Sequence, residues 1–118
     1  MAETRFLEGS ANITANTTTN IITYHVQVPL SLYIQQVSID LSPANYFPDI
    51  TFSLLINNVP DRNFTNINSQ ITQSYFPLSL PTPIKCSTGD TVIWQIVGLS
   101  TLGTNTAAAY ASILGILK

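Results

Sequence analysis

The chain has 118 residues and a net charge of −2, with only 8% of its residues charged, where about 25% is usual for a soluble domain. Its length suits a single domain that can bury a core without disulfides or metals. Its four cations, Arg5, Arg62, Lys85 and Lys118, are scattered along the chain. Phosphate neutralisation needs clustered cations, so nucleic acid is excluded as the expected partner. No run reaches the roughly 20 apolar residues of a membrane-spanning helix, so no membrane partner is expected either.

Neutral polar residues take the place of charge: 15 Thr, 11 Ser, 10 Asn and 6 Gln. A surface of hydroxyls and amides changes little with pH, which suits an uncontrolled environment. It also suits a surface covered by neighbouring subunits, where buried charge would be costly. Cys86 is the only cysteine. It excludes an intrachain disulfide and reads as a small hydrophobe in a strand. The opening residues MAETRFLEGS lack the apolar core of a secretory signal. The expected product is therefore made soluble in the cytoplasm and reaches the outside by lysis or by assembly into a particle.

The dominant period is two, the period of strands. The Thr-Asn tract from Asn12 to Asn20 fits an extended segment that orders only on contact. Asn20 to Val28 puts Ile22, Tyr24, Val26 and Val28 on one face, and Pro29 ends the run. Leu32 to Leu41 is a second strand whose apolar phase switches midway, so a bulge is expected near Gln35-Gln36. Ser42-Pro43-Ala44-Asn45 reads as a turn. Asp49 to Ile56 alternates cleanly, with Ile50, Phe52, Leu54 and Ile56 inward.

Asn57 to Asn63 reads as a loop, and a weaker strand is expected over Ser69 to Phe76. Pro77, Pro81 and Pro83 space an extended stretch that fits a sheet edge or a crossing between sheets. Ser87-Thr88-Gly89-Asp90 is a tight turn in which Gly89 can take positive φ. It launches Thr91 to Val97, with Val92, Trp94 and Ile96 on one face, and a polar loop follows from Leu99 to Thr106. The last strand, Ala107 to Leu117, is apolar on both faces: Ala107, Ala109, Ala111 and Ile113 on one, Tyr110, Leu114 and Ile116 on the other. Such a strand is central in its sheet or covered by another subunit, so these seven residues are also the expected oligomer interface. No segment has a helical period. Seven or eight short strands separated by turns predict an all-β fold, a single antiparallel β-sandwich or jelly roll.

Residues that could carry chemistry are few. His25 is the only histidine and lies on the polar face of its strand. No nucleophile-elbow pattern is present, and nothing selects a catalytic pair among Glu3, Glu8, Asp40, Asp49, Asp61 and Asp90. Asp at turns and strand ends is explained by local backbone hydrogen bonds. No zinc spacing, EF-hand loop or phosphate loop occurs. The expectation is no catalytic residues, no metal site and no cofactor. Sequons at Asn12, Asn16 and Asn63 are a common accident in a chain rich in Asn and Thr. Tyr33, Tyr46, Phe47, Tyr75 and Phe76 lie in or near loops and strand ends. They serve as core or interface anchors, while Tyr46, Phe47, Tyr75 and Phe76 also leave a glycan ligand open.

Several steps of the sequence carry a resemblance: Val28-Pro29 closing a strand, Val37-Ser38-Ile39-Asp40-Leu41, the strand Ile50 to Ile56, Gly89-Asp90-Thr91-Val92-Ile93-Trp94, and Ala111-Ser112-Ile113-Leu114-Gly115. In this layout the whole chain resembles small all-β structural proteins of virus particles, mainly of tailed phages, of the capsid decoration or cement type. Trimeric jelly-roll and tumour-necrosis-factor-like domains share the Gly-Asp step and the final apolar strand. The resemblance implies a sandwich that assembles as a homo-oligomer, often a trimer, on a capsid or tail. Its partners would be the major capsid protein or another virion protein, and its location the virion surface. It also implies that residues 1–19 form an extended N-terminal arm beside a sandwich domain of 20–118, and that this arm, with Arg5, Phe6, Leu7 and Ile13, grips neighbouring subunits. The alternatives are an adhesive module of a tail, fibre or spike that binds a receptor or carbohydrate, and a structural or interaction domain outside viruses.

Overall fold

The computed structural model describes residues 3–42, 49–65 and 75–118, and the side chains of these except 60–65 and 75–82. Among them are eight strands: β1 (Glu3–Ile13), β2 (Thr18–His25), β3 (Leu32–Ser42), β4 (Ile50–Ile56), β5 (Val59–Thr65), β6 (Tyr75–Cys86), β7 (Thr91–Gly98) and β8 (Ala107–Leu117). They form two four-stranded sheets, ordered β1-β8-β3-β6 and β2-β7-β4-β5, here called the first and second sheets. All the observed pairings are antiparallel. The pairs β1–β8, β2–β7, β3–β6 and β4–β5 nest one inside the next, as in a long hairpin rolled around itself. That is the jelly roll the strand pattern predicts.

The two sheets meet over an apolar core. The alternate residues Leu32, Ile34, Val37, Ile39 and Leu41 of β3 are buried, as are Ala107, Ala109, Ala111 and Ile113 of β8. From the second sheet come Ile22, Ile50, Phe52, Leu54, Val92, Trp94 and Ile96. Trp94 stacks on Phe52 with ring centroids 6.1 Å apart. Its indole N–H crosses the sandwich and donates to the Ser38 carbonyl at 3.2 Å. A buried indole needs such an acceptor, so this bond fixes one sheet against the other. Cys86 is buried in the same core.

Several expectations are met. The register of β3 shifts between Ile34 and Gln36 against both neighbours, as the phase switch requires. Gly89 turns with φ 89. The Asp90 carboxylate accepts from the Ser87 N–H at 2.8 Å and the Asn57 side-chain amide at 2.9 Å. The strand bearing the three prolines, β6, is at a sheet edge, and β8 is central between β1 and β3.

Others are corrected. The segment expected as an arm holds the edge strand β1, paired along its whole length with β8, from Glu3 opposite Leu117 to Ile13 opposite Ala107. Its inward residues alternate as Leu7, Gly9, Ala11 and Ile13. Gly9 is required there: a Cβ would sit 2.0 Å from the Ile21 carbonyl oxygen of β2. The first sheet thus closes onto the second at this corner. The expected loop at Asn57 is a two-residue hairpin. Asn57 and Asn58 take φ of 53 and 65, a conformation Asn tolerates and tight hairpins favour, and β5 follows. Val28, expected to share a strand face with Ile22, Tyr24 and Val26, is 79% exposed, because the β2–β7 ladder ends at His25 opposite Thr91. The turn expected at Ser42 to Asn45 lies outside the described residues beyond Ser42, and most of the strand expected over Ser69 to Phe76 does so too.

Candidate functional site

The two sheets have different outer faces. On the second sheet, Thr18, Asn20, Thr23 and His25 of β2 are exposed beside Thr91 and Gln95 of β7. Side chains bond across this pair: His25 Nδ1 with Thr91 Oγ1 at 2.9 Å, and the Gln95 amide donating to Asn20 Oδ1 at 3.0 Å. Among the described residues of this face, the apolar Leu55, Ile93 and Val97 are buried or half-buried.

The first sheet has an outer face in cross-strand rows set by the register of β1, β8, β3 and β6. The first row is Thr4, Ile116, Tyr33 and Lys85. The second holds Phe6, Leu114 and Gln36, the third Glu8, Ser112 and Ser38, and the fourth Ser10, Tyr110 and Asp40. Phe6 is 52% and Tyr110 39% exposed, and Leu114 and Ile116 are half-buried. In the third row Ser38 and Ser112 are 2% and 7% exposed, and their hydroxyls bond to each other. Neither hydroxyl is thereby left as an unsatisfied buried group. At the fourth row is an open hollow of about 290 Å³ lined by Ser10, Asp40, Ser42, Ala108, Ala109 and Tyr110.

Charge on this face is divided by end. Lys85 is exposed in the first row, and the Lys118 ammonium lies 4.8 Å from the centre of the Tyr33 ring beside it. A cation over an aromatic face is held electrostatically. Glu8 and Asp40 lie in the third and fourth rows.

The structure separates the residues singled out in the sequence. Ala107, Ala109, Ala111 and Ile113 line the core of the subunit itself, leaving Tyr110, Leu114 and Ile116 on the outer face. Of the expected arm residues, Ile13 is buried, Leu7 packs against the core and Phe6 faces outward. Arg5 is half-buried near the start of β1, its guanidinium 3.1 Å from Glu3. Tyr46 and Phe47 lie outside the described residues, and the side chains of Tyr75 and Phe76 do too. Among the described residues, no three of His, Cys, Asp and Glu come together to hold a metal. The outward phase of Phe6 was present in the sequence as alternation against Leu7, but it reads as a strand only once β1 is recognised.

Two solved structures share this fold along nearly the whole chain. A chain of the acid-stable capsid of Helicobacter pylori bacteriophage KHP30 matches with a TM-score of 0.57 at 9% identity, covering 98% of this chain and 93% of that one. A chain of the cyanophage Pam1 capsid asymmetric unit matches with a TM-score of 0.51 at 13% identity, covering 99% of this chain and 86% of that one. At such identities the likeness is one of fold. No family model and no curated protein sequence matches.

Proposed function

We propose that this chain is a structural protein of a virus particle, a capsid decoration or cement protein that stabilises a shell by assembling on it. The observation that carries the proposal is the end-to-end match of the whole jelly roll to chains of two phage capsids. The low charge and the hydroxyl-rich surface support it, since such a surface can be covered by neighbours at little desolvation cost. The work is mechanical. Binding only the assembled shell stabilises that state by mass action, and symmetric repetition turns weak contacts into avidity.

Particles banded from a lysed culture of the source, analysed by quantitative mass spectrometry, should contain this chain in fixed proportion to the main shell protein. Particles stripped of it should lose shell integrity at a lower temperature and regain it when the purified protein is returned. Particles that never contain the chain would overturn the proposal.

A further inference from the structure

The first sheet's outer face is both apolar and electrically divided, and those two properties together constrain what covers it. We propose that it is covered by the same face of a second copy, the two sheets stacked with their strands running in opposed directions. The inference rests on the self-assembly part of the function proposed above, and it names the contact.

The charge pattern selects this arrangement. The lysine row and the Asp40 row are separated by six residues of β8, from Ile116 to Tyr110, or about 20 Å at a strand's rise. A two-fold axis parallel to the strands would set lysines against lysines and carboxylates against carboxylates. An axis lying across the strands, between the second and third rows, sets the lysine end of each copy over the acidic end of the other. Asp40 then faces Tyr33 of the second copy, where the Lys118 ammonium already sits, with Lys85 on the adjacent strand.

Shape follows the same operation. On the two middle strands, Leu114 and Gln36 of the second row lie over Ser112 and Ser38, which are small and already satisfied, and on the edge strand Phe6 lies over Glu8. Ile116 lies over the row of Tyr110, at the edge of the hollow. A two-fold contact needs such self-complementarity, because each patch meets its own copy. The area is adequate. A face four strands wide and as long as the 11-residue β8 covers about 700 Å² per copy, against about 800 Å² per partner in a stable interface. On the second sheet, outer side chains of β2 and β7 among the described residues already bond to one another.

Light scattering on the purified full chain tests this. The expected mass is twice 12.9 kDa. Leu114→Glu should give monomers with unchanged circular dichroism and Trp94 emission. Asp40→Lys and Lys118→Glu should each weaken the dimer by about tenfold, and the two combined should return it to within about threefold of the parent. If Leu114→Glu fails to fold, the charge pair alone decides. A monomer or trimer of the parent chain, or a double variant no better than its worse single, would overturn the inference. Because mass in solution is read without any particle, that failure leaves the virion role standing, and absence from particles would leave the dimer standing.

Discussion

The two sheets are built from the same number of strands and share one core, yet they present opposite exteriors. Among the described residues, the second sheet's exterior bonds hydroxyls and amides across β2 and β7, and Leu55, Ile93 and Val97 are buried or half-buried. The first sheet's exterior leaves Phe6 and Tyr110 exposed and separates its charges by end. Since the core holds both sheets alike, the self-association proposed above accounts for the difference by what each face meets. A face destined only for water needs no exposed phenyl ring, and exposed apolar area in a contiguous patch marks contact.

The comparison can be broken at its root, in the core that both faces share. Trp94→Ala removes the largest buried side chain together with its bond to Ser38. It should cost about 3–5 kcal/mol, read by urea unfolding, and should abolish ordered presentation of both faces. Next in size is the contrast between faces. Leu114→Glu should weaken self-association by about a hundredfold, whereas Thr23→Glu on the second sheet should leave the mass by light scattering unchanged.

The serine pair sharpens the contrast further. Ser38→Ala or Ser112→Ala alone should cost about 1–3 kcal/mol, because the surviving hydroxyl loses its partner, while the double change should be near neutral. A thermal or urea double-mutant cycle reads the difference. The smallest effect is expected at the exposed bond between Gln95 and Asn20: Asn20→Ala should shift stability by less than about 0.5 kcal/mol.

How far the fold was legible follows from how strongly each strand is patterned. β3, β4, β7 and β8 carry buried Ile, Leu, Val or Trp at alternate positions. Their alternation, and the bulge in β3, could be read directly. β1 was not read as a strand because its inner row passes through Arg5 and Gly9, and Gly9 is dictated by a close backbone approach that no hydropathy pattern reveals. β5 was hidden by Pro60 and the asparagines. The two asparagines in fact supply the turn, and the proline is tolerated because β5 is an edge.

The candidate site was legible only in part. An apolar strand such as β8 is expected to be central or covered, but its sequence does not say which face meets its own core. The alanine face was set by the steric needs of the sandwich, and the face of Leu114 and Ile116 was left outward. The opposition of lysines and carboxylates could not be read at all, because it exists only in the cross-strand register.

The nesting of the strands also orders events in time. β8 joins β1 to β3, yet it follows every other strand along the chain. While a ribosome works through the earlier strands, β1 and β3 have open edges on the sides that β8 will fill, and the first sheet is in pieces. Contacts as distant as Glu3 with Leu117 make folding slow, and unpaired edges invite pairing between nascent chains. The polar side chains along β1 and β2 thus have a task before the native state exists, which is to keep unfinished copies apart until the middle strand arrives.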